Sequence, residues 1–398
     1  MNKSRLLIIG IILFIAAVPL RLTIGYFNSY QYSLDKRQTK AEQEKNLIDI
    51  AIVWSLEVQD SFIKGVKLAI AEENEKGIII KEAGEKYKLT ITPHYFDDST
   101  TKKNANSIHQ IVKNKKIMSV IGHSSSANAA VASVSYEQHG ILFLSTVATD
   151  QKLTNHGFNY MFSTIPIDKE YTQALVDFCI QKGYKKIAVF YSRDGAYGLN
   201  LYNNFSSLLY GKDIDIVFSR SFNSEQTNYL EPIYEMLESH PQAILLGATE
   251  RNAAQFIEQL RTLGVKRPVI SGDGIDNPFI WQMSNNTAYN TFVASIYIDS
   301  PFSANTNIAP EFYDAFFARY AYAPDYLALQ GYDAIKILVA AIRRSNSKNP
   351  LILAATLKYN FDNAYNNYKF NSLGRILNKK IVIKEMKEGG FYEIKQEN

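Results

Sequence analysis

From Ile48 onward, short apolar runs alternate with longer amphipathic stretches. "IDIAIVW" (Ile48–Trp54) is an apolar run of the length a buried strand needs. "SFIKGVKLAIAEEN" follows, with Phe62, Val66, Ala69 and Ile70 at helical spacing. "KLTITPHYF" (Lys88–Phe96) alternates as a strand does, and "NANSIHQIVKN" again reads as a helix. The rhythm continues through the strand "IMSVIG", the helix "ANAAVASVSYEQ" and the strand "ILFLS". After a loop and "YMFSTIP" it restarts. Strands "KIAVFY", "IDIVFSRSF", "AILLG" and "PVISGD" are then separated by helices "AYGLNLYNNFSSLL", "YLEPIYEMLES" and "RNAAQFIEQLRTLG". This alternation predicts βαβ units and parallel sheets covered on both faces. There are too many units for one sheet, and the break near Phe162–Pro166 predicts that a second begins there.

Two segments stand outside the rhythm. Lys3 and Arg5 precede the apolar run Leu6–Leu20, the plan of a signal peptide. The run resumes after Arg21, so Leu6–Phe27 is also about long enough to cross a bilayer as a helix, which takes ~20 residues. Residues 1–30 are therefore read as a cleaved signal or an uncleaved membrane anchor, and the basic start places the body outside the cytoplasm either way. The polar stretch "LDKRQTKAEQEKN" within residues 31–46 reads as a solvated linker or stalk helix.

Composition narrows the function classes. The chain has 398 residues, 46% hydrophobic and 21% charged, as expected of globular domains with sizeable cores. Of the net charge of +4, the N-terminal Lys3, Arg5 and Arg21 carry three units, leaving the body close to neutral. That argues against a nucleic-acid grip, which needs a strong basic surface. Cys179 is the only cysteine, so no internal disulfide or cysteine-rich metal site is possible, and its apolar neighbours predict a buried thiol. The histidines are scattered without ligand spacing, and the lipase elbow, the phosphate loop and the zincin motif are all missing. No catalytic residue, metal or cofactor is assigned.

In parallel α/β sheets, ligands bind where strands end and helices begin. In "IGHSSSANAA" an apolar strand hands over to a helix through Gly122, His123 and three serines. A helix N-terminus carries partial positive charge and free N–H donors, and hydroxyls add to them. Ser126 is thus a candidate for holding a carboxylate, the simpler alternative being that Ser124–Ser126 only cap the helix. His123 is read as orienting this loop. The neighbouring loop supplies Ser145, Thr146 and Thr149. Asp273, between Gly272 and Gly274, sits in a tight turn and reads either as an ordinary turn aspartate or as an acid that accepts from an ammonium group. Tyr197 and Trp54, both at strand-exit edges, are candidate aromatic contacts, the alternatives being helix-start packing for Tyr197 and rim packing for Trp54. Asp97 and Asp98 are read as caps of the following helix.

"IGHSSSANAAVASVSYEQHGILFLSTVATD" resembles a segment of the periplasmic leucine/isoleucine/valine-binding proteins. So do "YFDDST", "YSRDGAYG" and "QGYDAIKILVAAI", in the same order along the chain. The resemblance implies two Rossmann-like lobes with parallel sheets, joined by a three-strand hinge. Lobe 1 would comprise residues 47–163 and 297–366, and lobe 2 residues 164–296 and 367–398. It implies further that Ser126 holds a ligand carboxylate, Thr149 anchors the head group, and the Val147 carbonyl and Asp273 receive the ammonium, with Tyr197 on the opposite face. Thr249 stands where branched-chain binders have a tyrosine, and the loop after Trp54, with Glu57, is short. Both departures fall on the specificity pocket. The expectation is an extracytoplasmic binding protein for an amino acid or related small molecule, serving the permease and ATPase subunits of an ABC importer. A membrane-tethered sensor acting through a partner is the alternative, and an enzyme on the same fold a third reading.

Overall fold

The computed structural model describes residues 30–394, apart from residues 44–45, 57–60, 83, 297–309, 363, 367, 378 and 389. The signal or anchor reading of residues 1–29, Glu57 and the second lobe crossing fall outside the described residues. Among the described residues, no helix is long and apolar enough to cross a membrane.

Six strands form the first sheet: β1 (Leu47–Trp54), β2 (Ile78–Glu82), β3 (Glu85–Asp97), β4 (Ile117–Gly122), β5 (Leu142–Ser145) and β6 (Met161–Ser163). Their spatial order is β2-β3-β1-β4-β5-β6. The chain then enters a second sheet with β7 (Lys186–Ser192), β8 (Asp215–Phe222), β9 (Ala243–Gly247), β10 (Val269–Ser271) and β11 (Thr291–Ser295). After two short paired strands, β12 (Lys369–Phe370) and β13 (Ile376–Leu377), the hairpin β14 (Val382–Lys387) and β15 (Gly390–Glu393) completes the second sheet on the side of β11. The α/β class with two mainly parallel sheets matches the sequence reading. The sheets are not purely parallel, because β2 pairs antiparallel with β3, and β14 antiparallel with both β11 and β15. These hairpins lie at the sheet edges, where an antiparallel strand needs no helical crossover.

The central strands β4, β5, β9, β10 and β11 are buried along their whole length, which is why they read as continuous apolar runs. Against the first sheet pack the helices Ser61–Lys76 and Tyr326–Ser345, the latter covering the "QGYDAIKILVAAI" stretch. Cys179 is fully buried, and burial pushes its thiol up to about 12.

The N-terminal polar stretch departs from expectation. Tyr30–Gln43 is a helix, but its Ser33, Arg37 and Ala41 face is buried against the first lobe. Arg37 is fully buried and donates to the carbonyls of Ile117 and His139, both at 2.7 Å, and to Asn114 at 3.2 Å. The segment is thus docked, not solvated. Burial lowers the Arg37 guanidinium to about 9, which leaves it charged at neutral pH.

Candidate functional site

A cavity of about 620 Å³ lies between the two sheets, at the carboxyl ends of their strands. All seven nominated residues, Trp54, Ser126, Val147, Thr149, Tyr197, Thr249 and Asp273, line it. Lobe 1 contributes the exits of β1, β4 and β5, and lobe 2 the exits of β7, β9 and β10.

The serine loop is held from behind. Gly122 ends β4 at φ +132°, and a Cβ there would stand 2.1 Å from the Val53 carbonyl oxygen of β1, so only glycine fits. Asp98 is fully buried below the loop and accepts from the Ser124 N–H at 2.9 Å and from its hydroxyl at 2.6 Å. The same carboxylate meets His123 Nδ1 at 3.1 Å, and His123 Nε2 meets the Tyr136 hydroxyl at 3.0 Å. Burial acts to raise Asp98, but the bonds from His123 and Ser124 overcome it and hold the carboxyl below its ordinary range. His123 therefore orients the loop, as its position after the strand suggested. Asp97 and Asp98 do not cap the next helix. Thr100 does so, its side chain accepting from the Lys103 N–H, while Asp97 pairs with Lys103 at 2.8 Å. The aspartates are drawn away by stronger partners, a cation and a buried histidine.

Capping of the helix Ser126–Gln138 falls to Ser125, which accepts from the Asn128 N–H at 3.3 Å. Ser126, at the first helical position, is buried on the cavity wall with first-turn N–H groups that have no intrahelical acceptor. In the next loop Val147 and Thr149 reach the wall. Ser145 and Thr146 do not line the cavity, and their hydroxyls are sealed in the core. Thr149 also bonds Asp168, which accepts from Asn200 at 2.9 Å. Trp54 stacks on Phe62, ring centroids 3.9 Å apart, so its ring belongs to the core as much as to the cavity.

On the facing lobe, Asp273 opens a short 3-10 turn, Asp273–Ile275. Its side chain is buried and Oδ1 has no hydrogen-bond partner. Burial, reinforced by the carboxyls of Asp168 and Asp276, pushes Asp273 well above the ordinary carboxylate range. The flanking glycines serve a different purpose from the tight turn expected. Neither has positive φ. A Cβ on Gly272 would stand 2.7 Å from the Tyr197 hydroxyl, and one on Gly274 2.5 Å from the Tyr197 ring. The glycines make room for Tyr197, whose hydroxyl accepts from the Gly274 N–H at 2.8 Å.

Sequence reasoning missed several wall residues. Glu250 opens the helix Glu250–Thr262 and accepts from Asn277 Nδ2 at 3.0 Å. Burial raises its carboxyl, Asn277 partly offsets this, and Asp325 adds to the rise. Asp276 also reaches the wall but is paired with the buried Lys384. Phe279, Met283 and Leu327 supply apolar surface, and Tyr326 completes the lobe 1 side.

The chain matches the family model for periplasmic binding proteins over residues 56–389. It is 24% identical to the Leu/Ile/Val-binding protein of Citrobacter freundii over 319 residues, covering 79% of this chain and 83% of that one. It is 25% identical to the leucine-specific-binding protein of Salmonella typhimurium over 304 residues, 76% of this chain and 79% of the relative. Among solved structures it resembles an ABC transporter substrate-binding protein from Desulfitobacterium hafniense in complex with Leu. There the identity is 26% and the TM-score 0.73, over 88% of this chain and all (100%) of that one. The branched-chain amino acid transporter substrate binding protein LivJ from Streptococcus pneumoniae, solved with isoleucine, shares the fold at a TM-score of 0.77 and 20% identity, over 88% and 99% of the two chains. With two α/β lobes around one cavity and a family match over most of its length, the chain belongs to the periplasmic binding proteins.

Proposed function

We propose that the protein is an extracytoplasmic solute-binding protein that traps an amino acid, or a close relative, between its lobes and delivers it to the permease and ATPase subunits of an ABC importer. Binding and hinge closure are the whole mechanism, with no bond made or broken. The observation that carries this reading is one of sign. The helix start at Ser126, with free N–H donors, and the buried Asp273, whose Oδ1 has no partner, face the same cavity from opposite lobes. A zwitterion offers a carboxylate to the first and an ammonium to the second. Ser126 holds the carboxylate, Thr149 anchors the head group, and the Val147 carbonyl and Asp273 accept from the ammonium. Tyr197 positions Asp273, while Trp54 and Thr249 bound the side-chain space. The names of the similar proteins, which bind leucine, isoleucine or valine, support the amino-acid class.

The test is a ligand panel by thermal shift, since a ligand that binds only the folded state raises the melting temperature. Amino acids are expected to raise it, and Asp273→Asn to weaken binding about a hundredfold, because a buried charge loses its partner. A panel in which no amino acid shifts the protein, or unchanged affinity in the variant, overturns the reading.

One observation favours the tethered sensor as a second reading. The docked helix Tyr30–Gln43 holds lobe 1 close to whatever precedes it. Recovery of the protein in washed membranes, with residues 1–29 intact, supports that reading; a mature soluble form with those residues removed counts against it.

A further inference from the structure

The cavity wall carries more acidic groups than one zwitterion's ammonium answers. Three carboxylates reach its wall: Asp273, Glu250 and Asp276. Lys384, buried beneath the wall, neutralises Asp276. Among the described residues, no lysine or arginine forms an ion pair with Asp273 or with Glu250. The two come from the exits of the adjacent strands β9 and β10, and the turn that carries Asp273 also carries Asn277, the hydrogen-bond partner of Glu250. Asn277 uses one carboxylate oxygen of Glu250. Asp273 Oδ1 is buried with no partner at all. An α-amino acid brings one ammonium, which answers Asp273, and one carboxylate, which answers the helix start at Ser126. Glu250 is left over. Isolated carboxylates are costly on a desolvated wall unless a cation reaches them. The same cavity wall carries Phe279, Met283 and Leu327, apolar surface that suits a methylene stem.

We propose that the ligand is a dibasic α-amino acid: an aliphatic stem carries a second cationic group to Glu250 while Asp273 receives the α-ammonium. This rests on the amino-acid reading above and narrows it. One departure at the specificity pocket, Thr249, agrees with it. Thr249, exposed at the start of the same helix, leaves space beside Glu250 where a bulky side chain would close it.

The experiment is isothermal titration calorimetry on the full chain with L-lysine, L-ornithine, L-leucine and L-norleucine. Norleucine has the carbon stem of lysine without its ε-ammonium, so the pair isolates the second charge. Lysine or ornithine is expected to bind at least tenfold more tightly than norleucine and leucine. In Glu250→Gln, which keeps an acceptor for Asn277, that preference should fall at least tenfold. If norleucine or leucine binds as tightly as the basic amino acids, the proposal is overturned while the amino-acid reading stands. If the preference is present but unchanged in Glu250→Gln, Glu250 is not the receiver and the proposal is likewise overturned. If no member of either class binds, the amino-acid reading fails and takes the proposal with it.

Discussion

Asp168 sits behind the cavity wall, 2% exposed, with Thr149 and Asn200 as its partners. Burial raises its pKa to about 6, those two bonds opposing and Asp150 adding to the rise. In the unfolded chain an aspartate titrates near 4. Between those values the folded state holds the proton more tightly, so stability falls as pH rises from about 4 to 6 and stays lowered above. Asp168→Asn removes the charge and keeps an acceptor. It is expected to stabilise the protein by about 1–3 kcal/mol at pH 7 and by nothing below pH 4. Urea melts at the two pH values check this, and an equal change at both would show that charge is not the cause. At this scale the sequence was informative wherever a residue's chemistry was unusual for its place. Hydroxyls at a helix start and an acid between glycines both led to the cavity. Glu250 was not singled out because an acid in the first turn of a helix is common for dipole reasons alone. Phe279, Met283 and Leu327 were passed over because apolar residues read as core. The glycines beside Asp273 were noticed, but the space they leave for Tyr197 depends on a helix 75 residues earlier in the chain, counted from Gly272.

At the element scale, the helices Ser61–Lys76 and Tyr326–Ser345 meet backbone to backbone. A Cβ on Gly65 would stand 1.9 Å from the Ala328 carbonyl oxygen, and one on Gly331 2.3 Å from that of Phe62. Neither obstacle is a side chain that can swing aside. Gly65→Ala is therefore expected to cost about 1–3 kcal/mol or more by forcing the helices apart, readable as a lower urea midpoint. It should also weaken ligand binding, because Tyr326 and Leu327 reach the cavity from the start of the displaced helix. A variant that loses neither stability nor affinity would show that the contact relaxes freely. The rhythm of strands and helices was legible because central strands buried on both faces must be apolar. The edge hairpins were less so. Neither β2, with Ile79 facing solvent, nor β14, whose buried Lys384 pairs with Asp276, is a clean apolar run. The docked N-terminal helix was misread for a related reason. Its buried face of Ser33, Arg37 and Ala41 has the right spacing of four but almost no hydrophobic signal.

For the whole molecule, Arg37 is the feature with the longest reach. Its guanidinium serves carbonyls at Asn114 and His139, the C-terminal caps of the helices Thr101–Lys113 and Ser126–Gln138, and another at Ile117 on β4. Arg37→Met keeps the stem but strands those acceptors. The expected cost is about 2–4 kcal/mol, measured by chemical unfolding, because buried carbonyls lose charged donors. A loss near zero would mean that water replaces the guanidinium. The wider consequence is mechanical. Arg37 bolts the N-terminal helix to lobe 1, and among the described residues all the carbonyls it serves belong to that lobe. A force that reaches the helix Tyr30–Gln43 is thus passed to lobe 1. If the lobes close as proposed, an assembly that grips this helix would hold lobe 1 as the stator and leave lobe 2 as the rotor.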